Sequence, residues 1–323
     1  MILEPVPFEP APPQGPPPTF LERIGLSPVV FAILCLLGLF FLYQVVGGVV
    51  SFFLFGLTPT PENVGGLRLM TALSQILLLF APTLLLVRLA THSPRTYFRM
   101  RRPTMLQALL AVVGILALQQ VLQIYLVFQS RIPLPDDLAR LLEQYRTLIE
   151  ESLKLLVSAD SIGELAWVMT VIALVPAIVE EFLFRGLIQS SLERGSSPMR
   201  AAVTTGVIFG AYHLVPSSFV PLALLGIYLG YLACRSGSLW VAVIAHFCNN
   251  AAACIATYLH VDDDAVLTGD PKMMSTGVLL GTLWFFGVIF FLTVFAFQRA
   301  TRPDASDGEH GAGEDDAPGQ DEL

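Results

Sequence analysis

The chain has 323 residues, of which 54% are apolar and 14% are charged, and its formal net charge is −8. Soluble proteins carry about 25% charged residues, so this chain cannot cover a water-facing surface, and lipid is expected to surround most of it. The mean hydropathy of +0.68 agrees with that expectation. The composition therefore excludes a secreted disulfide scaffold, a soluble doubly wound enzyme and a nucleic-acid binder.

Apolar runs predict the membrane spans, because a helix needs about 20 apolar residues to cross a hydrocarbon core about 30 Å thick. The pattern predicts an all-α polytopic membrane protein with about eight transmembrane helices. The fourth run continues as a helical pattern through two glutamates to about Leu192. In chain order the predicted spans are Val29–Leu57, Leu69–Val87, Met105–Gln129, Leu165–Val179, Met199–Leu214, Phe219–Cys234, Leu239–Leu259 and Ser275–Phe297.

Three segments differ from the spans. A proline-rich start predicts a linker, an acidic end predicts a disordered tail, and Asp136–Val157 has the amphipathic pattern of a helix that lies in the membrane interface or caps the bundle. The four cysteines lack metal-like or disulfide spacing and are interpreted as small core residues. The predicted divisions are 1–28 (Pro-rich, cytoplasmic), 29–129 (helices one to three), 130–163 (amphipathic, interfacial), 164–259 (motif-bearing catalytic core, helices four to seven), 260–298 (loop and helix eight) and 299–323 (acidic tail).

Positive charges in the connections predict the orientation, because cytoplasmic loops are enriched in Lys and Arg. With eight spans, both termini lie on the same side of the membrane. That side carries twelve of the Lys and Arg residues, and the other side carries six. Both termini are therefore predicted to lie in the cytoplasm.

Charged side chains inside the fourth span are the first functional signal, since each costs about 2.5–3.5 kcal/mol at the centre of an inserted helix. Glu181 and Arg185 are four residues apart, on one helix face, and are expected to form a buried ion pair. Glu180 is rotated by about 100° from Glu181. It has no local partner, which favours a functional role over a structural one.

Polar residues in two later spans add to this signal. His213 lies four residues after Phe209 in the fifth span, and His246 lies four residues before Asn250 in the seventh. A single buried histidine is usually a structural core residue. At about 1.5 Å per residue, however, Glu180 and His213 lie about 18 and 21 Å from the cytoplasmic helix ends, and His246 and Asn250 lie about 10 and 16 Å from theirs. The fourth, fifth and seventh spans are therefore expected to meet at one polar layer, which also takes in Asn250.

Such a layer suits hydrolysis of a peptide bond by an activated water molecule. A carboxylate and an imidazole can hold the water, with the carboxylate as general base, and the second histidine and the asparagine can stabilise the oxyanion. Alternatively, Glu180, His213 and His246 could ligate zinc with one open position. No nucleophile elbow, Walker loop, HExxH motif or CxxC pair competes with this interpretation.

Three motifs in order, Glu180-Glu181-x-x-x-Arg185, Phe209-x-x-x-His213 and His246-x-x-x-Asn250, resemble those of the CPBP family, the type II CAAX prenyl endopeptidases and their bacterial Abi relatives. The resemblance implies a conical catalytic cavity between helices four, five and seven. It makes Glu180 the water-activating base with His213 beside it, His246 and Asn250 the oxyanion site, and Glu181 and Arg185 supports of Glu180. It also implies a protein or peptide substrate in the bilayer, a bacterial inner-membrane location, and either a metal-free or a zinc-dependent mechanism.

Two other functions stay open at this stage. The chain could be a non-catalytic immunity factor or scaffold of the same family, which would bind a partner protein through its loops and tail. An ion or proton carrier is disfavoured, because the other spans offer essentially no ionisable groups for a relay. The acidic cluster Asp262–Asp264, near His260, is interpreted as a solvated loop rather than a cation site.

Overall fold

The computed structural model describes residues 16–56, 58–260 and 275–302, and these residues form helices and no β-sheet. Seven helices are long and apolar enough to cross a membrane within this described part of the chain. The prediction of an all-α polytopic membrane protein is thereby confirmed. The helices are α1 (Pro28–Phe55), α2 (Val64–Ala90), α3 (Met105–Gln129), α4 (Asp136–Val157), α5 (Ile162–Leu192), α6 (Pro198–Tyr212), α7 (Phe219–Ser236), α8 (Leu239–Tyr258) and α9 (Thr276–Ala300).

The fifth predicted span differs from the prediction. Helix α6 has 15 residues and is about 22 Å long, which is shorter than the hydrocarbon core. It ends at Tyr212, because Leu214 adopts a left-handed backbone conformation with φ of 55° and Pro216 follows two residues later. His213 therefore directly follows the helix instead of lying within it, and the eight predicted spans become seven long helices and one short one.

Helix starts follow recognisable sequence signals. Ser27 and Ser197 accept hydrogen bonds from backbone N–H groups of the first turns of α1 and α6, and a proline occupies the first helical position after each of them. Thr104 forms a reciprocal capping box with Gln107 at the start of α3. These side chains satisfy N–H groups that a helix start leaves without an intrahelical acceptor.

Several chain connections meet at one end of the bundle. The Leu239 amide donates to the Arg99 carbonyl at 3.0 Å, and the Gln107 side chain donates to the Ala300 carbonyl at 3.4 Å. The His92 ring lies 2.7 Å from the Pro17 carbonyl oxygen. The first and last described segments therefore lie at the same end of the molecule. The compartment that this end faces stays a prediction.

Helix α4 has the bounds that the amphipathic pattern indicated, Asp136 to Val157, and none of its residues is buried. The Tyr145 hydroxyl donates to the Leu214 carbonyl at 2.7 Å. The buried Arg68 guanidinium donates to the carbonyl oxygens of Leu155 and Ser158 at the end of α4. Helix α4 is thus attached at its centre and its C-terminal end, and its place in the membrane interface stays a prediction.

Three sequence predictions fall outside the described residues, in whole or in part. The proline-rich segment begins before residue 16, the acidic tail continues beyond residue 302, and the cluster Asp262–Asp264 lies between the described ranges.

Candidate active site

Helix α5 carries the two adjacent glutamates and changes its winding on both sides of them. It is a single helix of 31 residues, as the apolar pattern continuing to Leu192 indicated. Its segments Met169–Leu174 and Phe182–Gln189 are π-helical, and Glu180 and Glu181 lie in the short α-helical stretch between them. Wider π-type turns inside a helix are frequent at functional sites.

The predicted ion pair between Glu181 and Arg185 is confirmed. The Arg185 Nη1 atom donates to Glu181 Oε1 at 2.8 Å, and both side chains are fully buried. The Arg185 Nη2 atom donates to the carbonyl oxygen of Gly226 on α7, also at 2.8 Å. Because a buried charge needs a partner and further hydrogen bonds, this pair fixes the register of α5 against α7.

Glu181 also holds His246 of α8. The Nδ1 atom of His246 lies 2.8 Å from Glu181 Oε1, and the His246 side chain is only 5% exposed. The resemblance assigned Glu181 and Arg185 to the support of Glu180. The contacts that the structure describes for Glu181 instead go to Arg185 and His246, and His246 in turn faces Glu180.

Glu180 faces both histidines. Its Oε2 atom lies 4.0 Å from the Nε2 atom of His213 and 4.0 Å from the Nε2 atom of His246. The three side chains come from α5, from the connection after α6 and from α8. The depth argument from the sequence, which placed Glu180, His213 and His246 in one polar layer, agrees with these distances.

Phe209 packs against both imidazoles. The ring centroids of Phe209 and His213 are 4.6 Å apart, and those of Phe209 and His246 are 6.0 Å apart. The backbone carbonyl of Phe209 lies 2.7 Å from His213 Nδ1, and the Arg185 guanidinium lies 4.8 Å above the Phe209 ring. This side chain separates the ion pair from His213 and orients the imidazole.

Close packing of α6 against α7 positions Phe209 and His213. An added Cβ atom at Gly206 would lie 2.4 Å from the Ile227 backbone nitrogen, and one at Gly210 would lie 2.8 Å from the Ala223 nitrogen. A Cβ atom at Gly226 would lie 2.9 Å from the Gly206 Cα atom. The two backbones therefore approach each other at glycines, as in membrane helix pairs with small residues four positions apart.

Asn250 lies one helical turn beyond His246 on α8. Its side-chain amide donates to the carbonyl oxygen of Ile172 on α5 at 3.5 Å and accepts a hydrogen bond from Asn249 at 3.2 Å. Its described contacts are thus with α5 and its own helix rather than with Glu180 or His213. The predicted role of Asn250 in an oxyanion site stays a prediction.

The geometry suits a bridging water better than a zinc ion. Among the described residues, no group of three His, Cys, Asp or Glu side chains is arranged to hold a metal. Ligands of a tetrahedral zinc with bonds of about 2.0–2.1 Å lie about 3.4 Å apart, whereas Glu180 Oε2 is 4.0 Å from each Nε2 atom. A water at about 2.8 Å from two such atoms spans 4.0 Å without strain.

Fold and site together define an integral membrane protein with a carboxylate and two imidazoles between its helices. Residues 162–252 match the family model described as type II CAAX prenyl endopeptidase Rce1-like. The match covers less than a third of the chain and includes all three motifs, from Glu180 to Asn250. It confirms the resemblance that these motifs indicated. Comparisons with the curated proteins and with the solved structures give no match.

Two sets of contacts were missed by the sequence reasoning. The first is the close packing of α6 against α7. Its signal was the pair of glycines four positions apart in each helix, Gly206/Gly210 and Gly226/Gly230. The side chain of Gln44 on α1 donates to the Tyr212 carbonyl at 3.1 Å, next to His213. An amide in an apolar span is itself a signal, because lipid offers it no hydrogen-bond partner.

Proposed function

We propose that this protein is an intramembrane endopeptidase that hydrolyses peptide bonds near the C-terminus of membrane-associated or prenylated protein substrates. The family match supports a CAAX-type protease at the level of the family. The observation that carries the proposal for this chain is the position of Glu180 Oε2, at 4.0 Å from Nε2 of both His213 and His246. A water molecule that bridges Glu180 and an imidazole would have Glu180 as its general base.

Hydrogen-bond partners assign the histidine tautomers, since hydrogens follow from the network. A carbonyl oxygen can only accept, so His213 Nδ1 carries a proton toward Phe209, and His213 Nε2 of a neutral ring presents a lone pair. The Glu181 carboxylate likewise keeps a proton on His246 Nδ1. Two neutral rings would present two lone pairs beside a carboxylate. A water has only two protons, so it could not donate to all three acceptors.

One of the two imidazoles must therefore carry a second proton. Charge balance indicates which one. Glu180 and Glu181 contribute two negative charges, and Arg185 contributes one positive charge. A proton on His246 Nε2 makes this buried cluster neutral, which lowers the cost of removing it from water. His246 is the better candidate than His213, because only His246 contacts a second carboxylate, that of Glu181. A protonated His246 then offers an N–H group to the oxyanion.

The side chains of Glu180, His213, His246 and Asn250 account for every proton and bond in the hydrolysis. Glu180 takes one proton from the water, and the water oxygen forms a bond to the carbonyl carbon of the substrate peptide. The negative carbonyl oxygen accepts a hydrogen bond from His246, with Asn250 as the second donor that the resemblance implies. The tetrahedral intermediate collapses, the C–N bond breaks, and Glu180 passes its proton to the leaving amine. His213 orients the water through Nε2.

The position of the site sets the class of substrate. Glu180 lies 12 residues from the end of α5 at Leu192, which is about 18 Å along the helix. A peptide must therefore reach into the bilayer, as the C-terminal segment of a lipid-anchored or membrane-associated protein can. The resemblance and the Arg distribution support an inner-membrane protein with both termini in the cytoplasm.

A panel of fluorogenic peptides, with and without a C-terminal prenyl group, tests the proposal on detergent-purified protein. We expect cleavage by the wild type, faster for the prenylated peptides, and loss of cleavage in His213→Ala. Thermal unfolding of both proteins controls for folding. Binding of a panel peptide without cleavage, by folded wild-type protein, would contradict the protease and favour the immunity or scaffold alternative.

A further inference from the structure

A polar cavity of about 160 Å³ lies between α1 and α2, away from the three catalytic motifs. Both helices are otherwise strongly apolar. Five of the eight lining residues carry a hydroxyl or amide group. The lining consists of Tyr43, Gln44, Gly47, Gly48, Ser51, Met70, Thr71 and Ser74.

The cavity has the size and the chemistry to hold water. A water molecule occupies about 30 Å³ in the liquid and needs two to four polar partners, so the space accommodates several waters. Lipid chains offer no hydrogen bonds, which makes a cluster of hydroxyl and amide groups unfavourable unless they are hydrated or paired. Ser74 is 6% exposed, so the α2 side of the cavity includes a hydroxyl that is buried in the protein.

Two polar atoms near this region have no partner within the described protein. Gln75, which follows Ser74 and lies beside the Tyr43 phenol, is 5% exposed, and its Oε1 atom is buried without a hydrogen bond. The Tyr212 hydroxyl is also buried without one. Buried polar atoms are almost always satisfied by protein or by ordered water, so both atoms point to water in this part of the bundle.

The Gln44 end of the cavity lies next to the candidate active site. The Gln44 side chain donates to the Tyr212 carbonyl at 3.1 Å, one residue before His213. From Tyr43 to Ser51 the lining extends about 12 Å along α1, toward the end of α1 at Phe55. The polar wall thus runs from the level of His213 toward one face of the bundle.

We propose that this cavity is a hydration site that supplies water to Glu180, an inference whose supply role rests on the proposed peptidase function. Each cleavage consumes one water, whose oxygen ends on the new carboxylate and whose protons end on the carboxyl product and the new amine. A site surrounded by lipid must replace that water in every cycle. Water reaches Glu180 along the wall of the cavity, which is formed by the Tyr43–Ser51 face of α1 and the Met70–Ser74 face of α2.

Cysteine labelling tests the hydration directly and needs no catalytic activity. Ser51→Cys places a thiol in the cavity, and Phe53→Cys places one on the same helix at an apolar side chain that is 80% exposed and is expected to face lipid. The full-length variants are treated in membranes with a small water-soluble methanethiosulfonate, and the labelling of the four native cysteines in the wild type is subtracted. Thiolates form in water and not in hydrocarbon, so we expect Ser51→Cys to react about 10-fold faster or more. Equal rates, or faster reaction of Phe53→Cys, would overturn the hydration site.

A plug tests the supply of water to Glu180. Gly47 is buried, and a Cβ atom added there would lie 3.8 Å from the Ser74 hydroxyl and 3.2 Å from the end of the Leu78 side chain. Gly47→Leu therefore places an apolar side chain at the wall of the cavity, and Gly47→Ser is the small polar control. We expect Gly47→Leu to lower kcat about 10-fold with KM nearly unchanged, because binding is kept and water delivery is lost. An unchanged kcat would overturn the supply role. If the wild type cleaves no peptide while Ser51→Cys is labelled, the proposed peptidase function fails and the hydration site stands.

Discussion

The Nδ1 atom of His246 lies 2.8 Å from Oε1 of Glu181, an oxygen that also accepts a hydrogen bond from Arg185 at 2.8 Å. Glu181 is completely buried, and His246 is nearly so. The second glutamate of the motif therefore fixes the orientation and the proton of an imidazole whose other nitrogen faces Glu180. Both glutamates are needed in this account, the first as the base and the second as the support of the oxyanion donor.

Replacement of Glu181 by glutamine tests this relationship. Glu181→Gln removes the charge that stabilises a protonated His246, so we expect kcat to fall about 100-fold, as after loss of an oxyanion donor.

The control for this variant is Glu151→Gln, the same chemical change on the exposed surface of α4. Both proteins are compared with the wild type in kcat and in thermal unfolding. A loss of kcat in Glu181→Gln that is accompanied by a matching loss of folded protein would mean that Glu181 acts only through stability.

Loss of the buried arginine should destabilise the bundle. Arg185→Met leaves the carboxylate of Glu181 buried with His246 as its remaining partner, and removal of one member of a buried pair costs about 3–5 kcal/mol. The matched control is Arg140→Met, because Arg140 pairs with Asp137 on the surface of α4 with side chains 74% and 97% exposed. Such a pair contributes less than about 1 kcal/mol. Thermal unfolding in detergent measures both variants, and equal transition temperatures would contradict a structural role for the buried pair.

Close approach of α6 and α7 predicts an intolerant glycine. Gly206→Leu places a side chain against the Ile227 backbone, where even a Cβ atom would lie 2.4 Å from a nitrogen. We expect a loss of stability of about 3 kcal/mol or more from overpacking, together with loss of cleavage because His213 follows α6. Gly281→Leu on α9 is the control, since an added Cβ atom there meets nothing within 4 Å. Denaturation curves that coincide for the two variants would refute the packing.

The separations around Glu180 predict a reaction that tolerates chelators. Because 4.0 Å from Oε2 to each Nε2 suits a water bridge, we expect cleavage to stay within about twofold of its rate after exhaustive dialysis against a zinc chelator. The measurement compares dialysed and untreated enzyme on one peptide, with a metal analysis of both samples. Loss of cleavage that added zinc restores would show that Glu180, His213 and His246 move together to bind a metal.

Much of this architecture is predictable from local sequence. Apolar run lengths give the long helices, and the pattern of Asp136–Val157 gives the bounds of α4, because periodicity and length report directly on helices in lipid. Depth indicates that Glu180, His213 and His246 lie in one polar layer, since 1.5 Å per residue converts position in a helix into height in the membrane.

Other features depend on contacts between distant segments, which periodicity does not report. The end of α6 before His213 depends on the left-handed backbone at Leu214, which carries no glycine signal. The contact of Glu181 with His246 depends on the rotation of α5 against α8. Sequence spacing predicts the pairing of Glu181 with Arg185, because that contact lies within one helix. It does not predict the contact with His246, which lies on another helix.

The central claim is that Glu180 activates the water that cleaves the peptide bond. The most direct measurement is the cleavage rate of a single prenylated peptide by wild type, Glu180→Gln and the control Glu151→Gln, with products identified by mass spectrometry. We expect Glu180→Gln to lose at least about 1,000-fold in kcat while it unfolds at the same temperature as the wild type, because a glutamine amide cannot accept the proton of the water. Glu180→Gln that cleaves at the rate of Glu151→Gln would contradict the account.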